Sequence, residues 1–156
     1  MDLSCIIVNY KNSGPLKDCL ASLYQTVQGI EFEVIIVDNS ENDPGLQPLK
    51  ELYPKAQFIS NSSNVGFSKA NNQAAKIAQG NILLFLNPDT FLPDQSINSM
   101  YRYFLSHTET GALGPKVVNP DGSMQYSCRR YPTLWTGLFN RYSILSQLFP
   151  GNRFTS

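Results

Sequence analysis

The chain has 156 residues, 42% of them hydrophobic and 15% charged, with 12 basic and 12 acidic side chains and a formal net charge of zero. That length suits one domain able to bury roughly two-thirds of its unfolded surface. The charge balance argues against nucleic acid as a partner, because a phosphate backbone calls for a basic surplus.

Residues 3 to 9, LSCIIVN, form an apolar, β-branched run that reads as a first strand. Leu16, Leu20, Leu23, Tyr24 and Val27 then recur at helical spacing over residues 15 to 27, with Pro15 suited to a first helical turn. EVIIVD at 33 to 38 is a second strand, followed by a polar loop over 39 to 45. A short helix with Leu46, Leu49, Leu52 and Tyr53 inward comes next, then a brief third strand at 56 to 60. The loop NSSNVGF, 61 to 67, leads into an alanine-rich helix over 68 to 79, with Gly80 as its C′ residue. Residues 81 to 86 end in LLFL and read as a fourth strand buried on both faces. Pro93 opens a fourth helix with Ile97, Met100, Tyr101, Phe104 and Leu105 on one side. Residues 112 to 118 suggest a fifth strand. Asn119-Pro120-Asp121-Gly122 fits a type I turn, with 123 to 130 returning as a hairpin arm.

Strands separated by helices imply parallel pairing through right-handed crossovers. The fold class is therefore α/β, an open and mostly parallel sheet with helices on both faces. Cys5, Cys19 and Cys128 are odd in number and show no metal spacing, so they read as reduced thiols. The first residues carry no basic leader and the apolar runs are far too short to span a membrane. The expectation is a cytoplasmic domain unless another part of the protein anchors it.

Ligands of such sheets sit outside the carboxyl ends of the strands. The first strand delivers Asn9 and Tyr10 there, the second Asp38 and Asn39, the third crossover Asn64 and Gly66, and the fourth strand Asn87 and Asp89. Each residue alone has a plainer reading, since Asn and Asp favour turns and caps in any protein. For Asn39, Asn61 and Asn64 taken singly, turn chemistry is the better account. The coincidence at four successive strand ends favours a site. The phosphate-cradling GxxxxGK[ST] motif is absent, and the turn after the first strand, NYKNSGP, has one glycine where a dinucleotide fingerprint needs three. A carboxylate-held divalent cation that neutralises a diphosphate is the remaining solution, and Asp89 beside Asn87 fits it.

IIVNY (6–10), CLASL (19–23), VIIVDNS (34–40), NVGFSKANN (64–72), LLFLNPDT (83–90) and NPDGSMQYSCRRYPT (119–133) closely resemble glycosyltransferase family 2, in its rhamnosyltransferase-like members. The resemblance implies the GT-A fold, Rossmann-like, with a nucleotide-sugar donor domain over residues 1–133. It implies an inverting transfer of a hexosyl-type sugar from a UDP- or dTDP-sugar, dTDP-rhamnose among the candidates. The acceptor would be a glycan or a lipid-linked glycan in cell-surface polysaccharide synthesis. Asn9 and Tyr10 match the strand end lying against the base, and Asp38 the acid that accepts from the ring N–H of uracil or thymine. Asn64 and Gly66 match the loop flanking base and ribose, and Asn71 the helix start facing the donor. Asn87-Pro88-Asp89 matches the family's DxD, whose last acid binds the Mg²⁺ or Mn²⁺ that bridges the diphosphate.

Two departures bear on mechanism. NPD replaces DxD, so Asp89 would share the cation mainly with the diphosphate, as Mg²⁺ commonly allows. The family's general base lies in a later acidic motif that no residue here matches; Asp121 reads as turn chemistry. Residues 134–156 are expected to form an amphipathic helical segment leading to an acceptor and catalytic-base half. Two rival readings follow: a non-catalytic nucleotide-sugar-binding or assembly module, and a peripheral membrane or partner contact through Trp135, Leu138 and Phe139. Packing of those aromatic and aliphatic residues on the rest of the protein is the favoured account of them.

Overall fold

The computed structural model describes residues 1–125. Cys128, Arg129, Arg130 and the expected 134–156 helical segment lie outside the described residues. The chain divides into two compact units, Met1–Leu113 and Gly114–Ser156.

In the first unit, strands β1 (Leu3–Asn9), β2 (Phe32–Asp38), β3 (Gln57–Ser60) and β4 (Ile82–Leu86) form one sheet in the order β3-β2-β1-β4. Every pairing is parallel. Helices α1 (Ser13–Thr26), α2 (Gln47–Leu52), α3 (Phe67–Ala75) and α4 (Ser96–Ser106) make or follow the crossovers, and a 3-10 turn at Pro44–Leu46 precedes α2. The central strands are apolar at almost every position because both their faces are covered. Successive side chains alternate between two cores. Leu3, Cys5, Ile7, Val34 and Ile36 pack with Leu16, Leu20 and Leu23 of α1, Leu49 of α2 and Ile97 of α4. On the other face Ile6, Val8, Ile35 and Val37 pack against Ala70 and Ala74 of α3, whose small side chains let the helix lie close.

Several sequence expectations need correction. β4 is not buried on both faces. It is one of the two edge strands among the described residues, and with α3 packed over β1 and β2, Leu83 and Phe85 stay 39% and 53% exposed. Leu52 and Leu105 face solvent instead of the core. α3 stops at Ala75, and Gly80 serves a tight crossing instead of a C′ position. A Cβ on Gly80 would sit 2.5 Å from the Ser4 backbone nitrogen. α4 begins at Ser96 because residues 93 to 95 form a turn that puts Gln95 at a positive φ of 62°. Residues 112 to 118 form no strand.

The described part of the second unit is a tight turn. An isolated antiparallel bridge joins Val118 and Met124. Gly122 N–H donates to the Asn119 carbonyl at 2.9 Å, and Gly122 takes the left-handed φ of 82° that closes the turn. Asp121 Oδ1 accepts from the N–H and the hydroxyl of Ser123 at 2.9 and 2.6 Å, which holds its carboxyl below the usual range and agrees with the turn reading.

Candidate nucleotide-sugar site

Parallel pairing brings all four strand ends to one edge of the sheet. Register sets Asn9 opposite Asp38, and Asp38 opposite Ser60. β4 ends two residues short of this row, since Leu86 pairs with Ile7 and the loop from Asn87 onward continues from there. Polar residues collect at this edge because the strands' last carbonyls and the following loops must satisfy their polar groups there.

The residues expected at the site fall into two tiers. Tyr10, Asn64, Gly66, Asn87 and Asp89 are exposed at the edge. Asn9, Asp38 and Asn71 are buried beneath it, at 0%, 2% and 7% exposure. Asp38 accepts from Ser40 N–H at 2.9 Å through one oxygen and from Asp43 N–H at 3.2 Å through the other. It therefore shapes the loop after β2, while each oxygen keeps a second lone pair. Asn9 donates through Nδ2 to Asp43 at 3.2 Å, and its Oδ1 is buried without a partner among the described residues. Such an orphan acceptor is costly and marks a place where a donor is wanted. Asn71 bonds its own helix, donating to the Phe67 carbonyl at 3.0 Å.

Asn39, read singly as turn chemistry, is instead a hub. Its Nδ2 donates to Asn64 Oδ1 at 2.6 Å, and its Oδ1 accepts from Val65 N–H at 3.0 Å and Asn61 Nδ2 at 3.2 Å. Asn61 and Gln73 exchange a reciprocal amide pair at 2.9 and 3.0 Å. Asn64 Oδ1 also accepts from Gly66 N–H at 2.9 Å, which leaves the Asn64 amide N–H groups as its free donors. Gly66 needs its glycine identity for a φ of 85° at the entry to α3. Asp43 is a further residue that sequence reasoning missed: its Oδ1 accepts from Gly45 N–H at 2.9 Å and caps the 3-10 turn while its Oδ2 holds Asn9. Its partner lies 34 positions away, so no local spacing signals the role.

Asp89 is exposed and has no ion-pair partner among the described residues, so its carboxylate is free to meet a cation. No group of three His, Cys, Asp or Glu side chains capable of holding a metal occurs among the described residues. A lone carboxylate with a neighbouring amide oxygen fits a hard divalent ion that draws its other ligands from a diphosphate and water. Asp38 ends β2, Glu41 and Asp43 follow it, Asp89 follows β4, and Lys11 is the one cation in the loop after β1. A bare diphosphate would meet net repulsion there.

A family model described as "Glycosyl transferase family 2" matches residues 4–154. The chain is 26% identical over 165 residues to the N-acetylglucosaminyl-diphospho-decaprenol L-rhamnosyltransferase of Mycobacterium tuberculosis, covering 99% of this chain and 53% of that protein. It is 30% identical to the low-salt glycan biosynthesis hexosyltransferase Agl10 of Haloferax volcanii, over 78% of this chain and 38% of the relative. The chain thus spans about half the length, or less, of these curated relatives. Among solved structures, S. aureus TarS 1-349 superposes with a TM-score of 0.62 at 26% identity, covering 69% of this chain and 33% of that one. TarS 1-349 in complex with UDP-GlcNAc gives 0.62 at 23% identity over 76% of this chain and 40% of the other, a likeness of fold. The fold is the α/β GT-A arrangement that the resemblance implied. With a match over nearly its whole length, the chain belongs to glycosyl transferase family 2.

Proposed function

We propose that this chain binds the donor in an inverting glycosyltransferase that moves a sugar from a UDP- or dTDP-sugar onto a glycan or lipid-linked acceptor. The observation that carries the reading is Asp89: an exposed carboxylate with no ion-pair partner among the described residues, just beyond the end of a parallel strand, at the edge where the other strand ends meet. The rhamnosyltransferase name of one relative and the UDP-GlcNAc in one neighbouring structure support a nucleoside diphosphate sugar as the ligand class, and the former favours a deoxyhexose donor.

In this reading Asp89 holds a divalent cation, with the Asn87 side-chain oxygen beside it. Once bound, the cation neutralises charge growing on the departing diphosphate. Tyr10 offers a ring face to the base, and Asp38 keeps a lone pair for the ring N–H. The loop 61–66, held by Asn39, flanks the ribose. Asn71 orders the start of α3. An inverting displacement also needs a base for the acceptor hydroxyl, and no described residue is assigned that role.

The test is thermal unfolding with UDP or dTDP, with and without Mn²⁺. A rise in melting temperature that needs the metal, and that Asp89→Ala removes, is the expected result. No shift with either nucleotide would overturn the reading. Sugar transfer assayed on the same protein separates an enzyme from a binding module.

A further inference from the structure

We propose that Cys19 and Ser22, on the buried face of α1, are positioning residues that set the conformation of the turn carrying Asp89. The inference rests on the cation reading of Asp89 for its functional meaning, but its geometry stands apart from it. Residues 87 to 95 belong to no strand or helix, so their conformation must come from outside regular structure. Within the segment the one backbone bond across the turn runs from Thr90 N–H to the Asn87 carbonyl at 3.2 Å. The remaining anchors come largely from α1. The Cys19 thiol lies 3.6 Å from the Asn87 carbonyl oxygen and donates to it. The Ser22 hydroxyl accepts from Leu92 N–H at 3.2 Å while donating to the Cys19 carbonyl at 2.8 Å. Leu92 itself is buried in the core beside α1. Asp89 thus sits between two points at which α1 grips the backbone, one at Asn87 and one at Leu92.

Chemistry supports a directional role over mere filling. A cysteine thiol is protonated at neutral pH, so Cys19 is available there as an S–H donor to the Asn87 carbonyl. The pair is spaced i, i+3, so both side chains fall on one stripe of the helix. Single S–H···O bonds are weak. Their value here is register: a carboxylate that shares a cation with a diphosphate must stand within a fraction of an ångström of its place.

The experiment compares the full chain with Cys19→Val, Cys19→Ser, Ser22→Ala and the Cys19→Val/Ser22→Ala pair. The first readout is amide hydrogen exchange without ligand. The expected result is exchange at Thr90 and Leu92 at least about tenfold faster in the double variant, with β1 and β2 amides unchanged and Cys19→Ser close to wild type. Unchanged exchange overturns the proposal. So does a uniform acceleration across the sheet, or a Cys19→Ser variant that behaves like Cys19→Val, since either points to packing alone. The second readout is Mn²⁺ affinity in the presence of UDP, expected to fall about tenfold in the double variant with metal-free UDP binding unaltered; equal affinity overturns the link to the cation. A wild-type chain that takes up no Mn²⁺ with UDP refutes the cation reading instead, while the exchange data still decide the role of α1.

Discussion

The Asn39 side-chain amide donates to Asn64 Oδ1 at 2.6 Å, joining the end of β2 to the loop before α3 across 25 residues of sequence. Through that bond the buried Asn39 fixes a loop whose own backbone belongs to no regular element. The same side chain accepts from Val65 N–H and Asn61, so one residue settles three neighbours.

Asn39→Asp should therefore be damaging despite its near-identical shape. It replaces the donor to Asn64 with a buried carboxylate facing another oxygen. A cost of about 1–3 kcal/mol is expected in urea unfolding, together with weaker nucleotide affinity. Asn39→Asp with wild-type stability would refute the hub.

Gly80→Ala should destabilise by about 1–3 kcal/mol, the usual range for overpacking a rigid site. The added Cβ would meet the Ser4 nitrogen and the Leu3 carbonyl carbon at 2.5 and 2.6 Å, both backbone atoms with nowhere to go. Gly14→Ala is the contrasting case. It lies in α1, where an added methyl would find nothing within 4 Å, and is expected to be neutral or to stabilise by up to about 1 kcal/mol. Denaturant midpoints of the two variants, measured side by side, decide the matter.

Glu33 anchors the opposite end of the sheet. It is buried and accepts from the Ser4 hydroxyl at 2.6 Å, Gln79 N–H at 2.6 Å and Gln57 Nε2 at 2.9 Å. Glu33→Ala strands those donors, and a loss of about 2–4 kcal/mol is expected, since bonds to a charged acceptor are the stronger kind. Nucleotide affinity of the folded fraction should be unchanged, because Glu33 lies near the start of β2 and the proposed site lies at its end. Parallel loss of both would contradict the assignment of the site to the carboxyl edge.

Burial raises the thiols of Cys5 and Cys19 from 9.0 to about 12 and about 11. Their folded values exceed their unfolded ones, so the folded state holds more protons once the unfolded thiols ionise. This contribution is fully present below about pH 9 and is lost as pH rises through about 11 to 12. Unfolding midpoints should be flat in this respect from pH 7 to 9 and then fall. Alkylation at pH 8, mapped by mass spectrometry, should spare both residues until denaturant is added. Rapid native labelling of Cys19 would show the α1 face to be open.

Much of the architecture was readable from residue order. The β-branched runs at 3 to 9 and 33 to 38, the helical spacing of Leu16, Leu20 and Leu23, and the motifs from IIVNY to LLFLNPDT marked a parallel α/β sheet, the edge where its strand ends gather, and its family. Local patterns carry this information because strand and helix periodicity follow from backbone geometry alone. Tertiary placement decided the rest. LLFL has the composition of a strand covered on both faces, yet its edge position beside β1, with α3 packed over β1 and β2, leaves Leu83 and Phe85 exposed. Asn39, Asp43, Cys19 and Gly80 look ordinary in the sequence. Their roles depend on partners 25 to 76 positions away, brought near only when the sheet closes its crossovers, and no spacing along the chain encodes a contact that the fold itself creates.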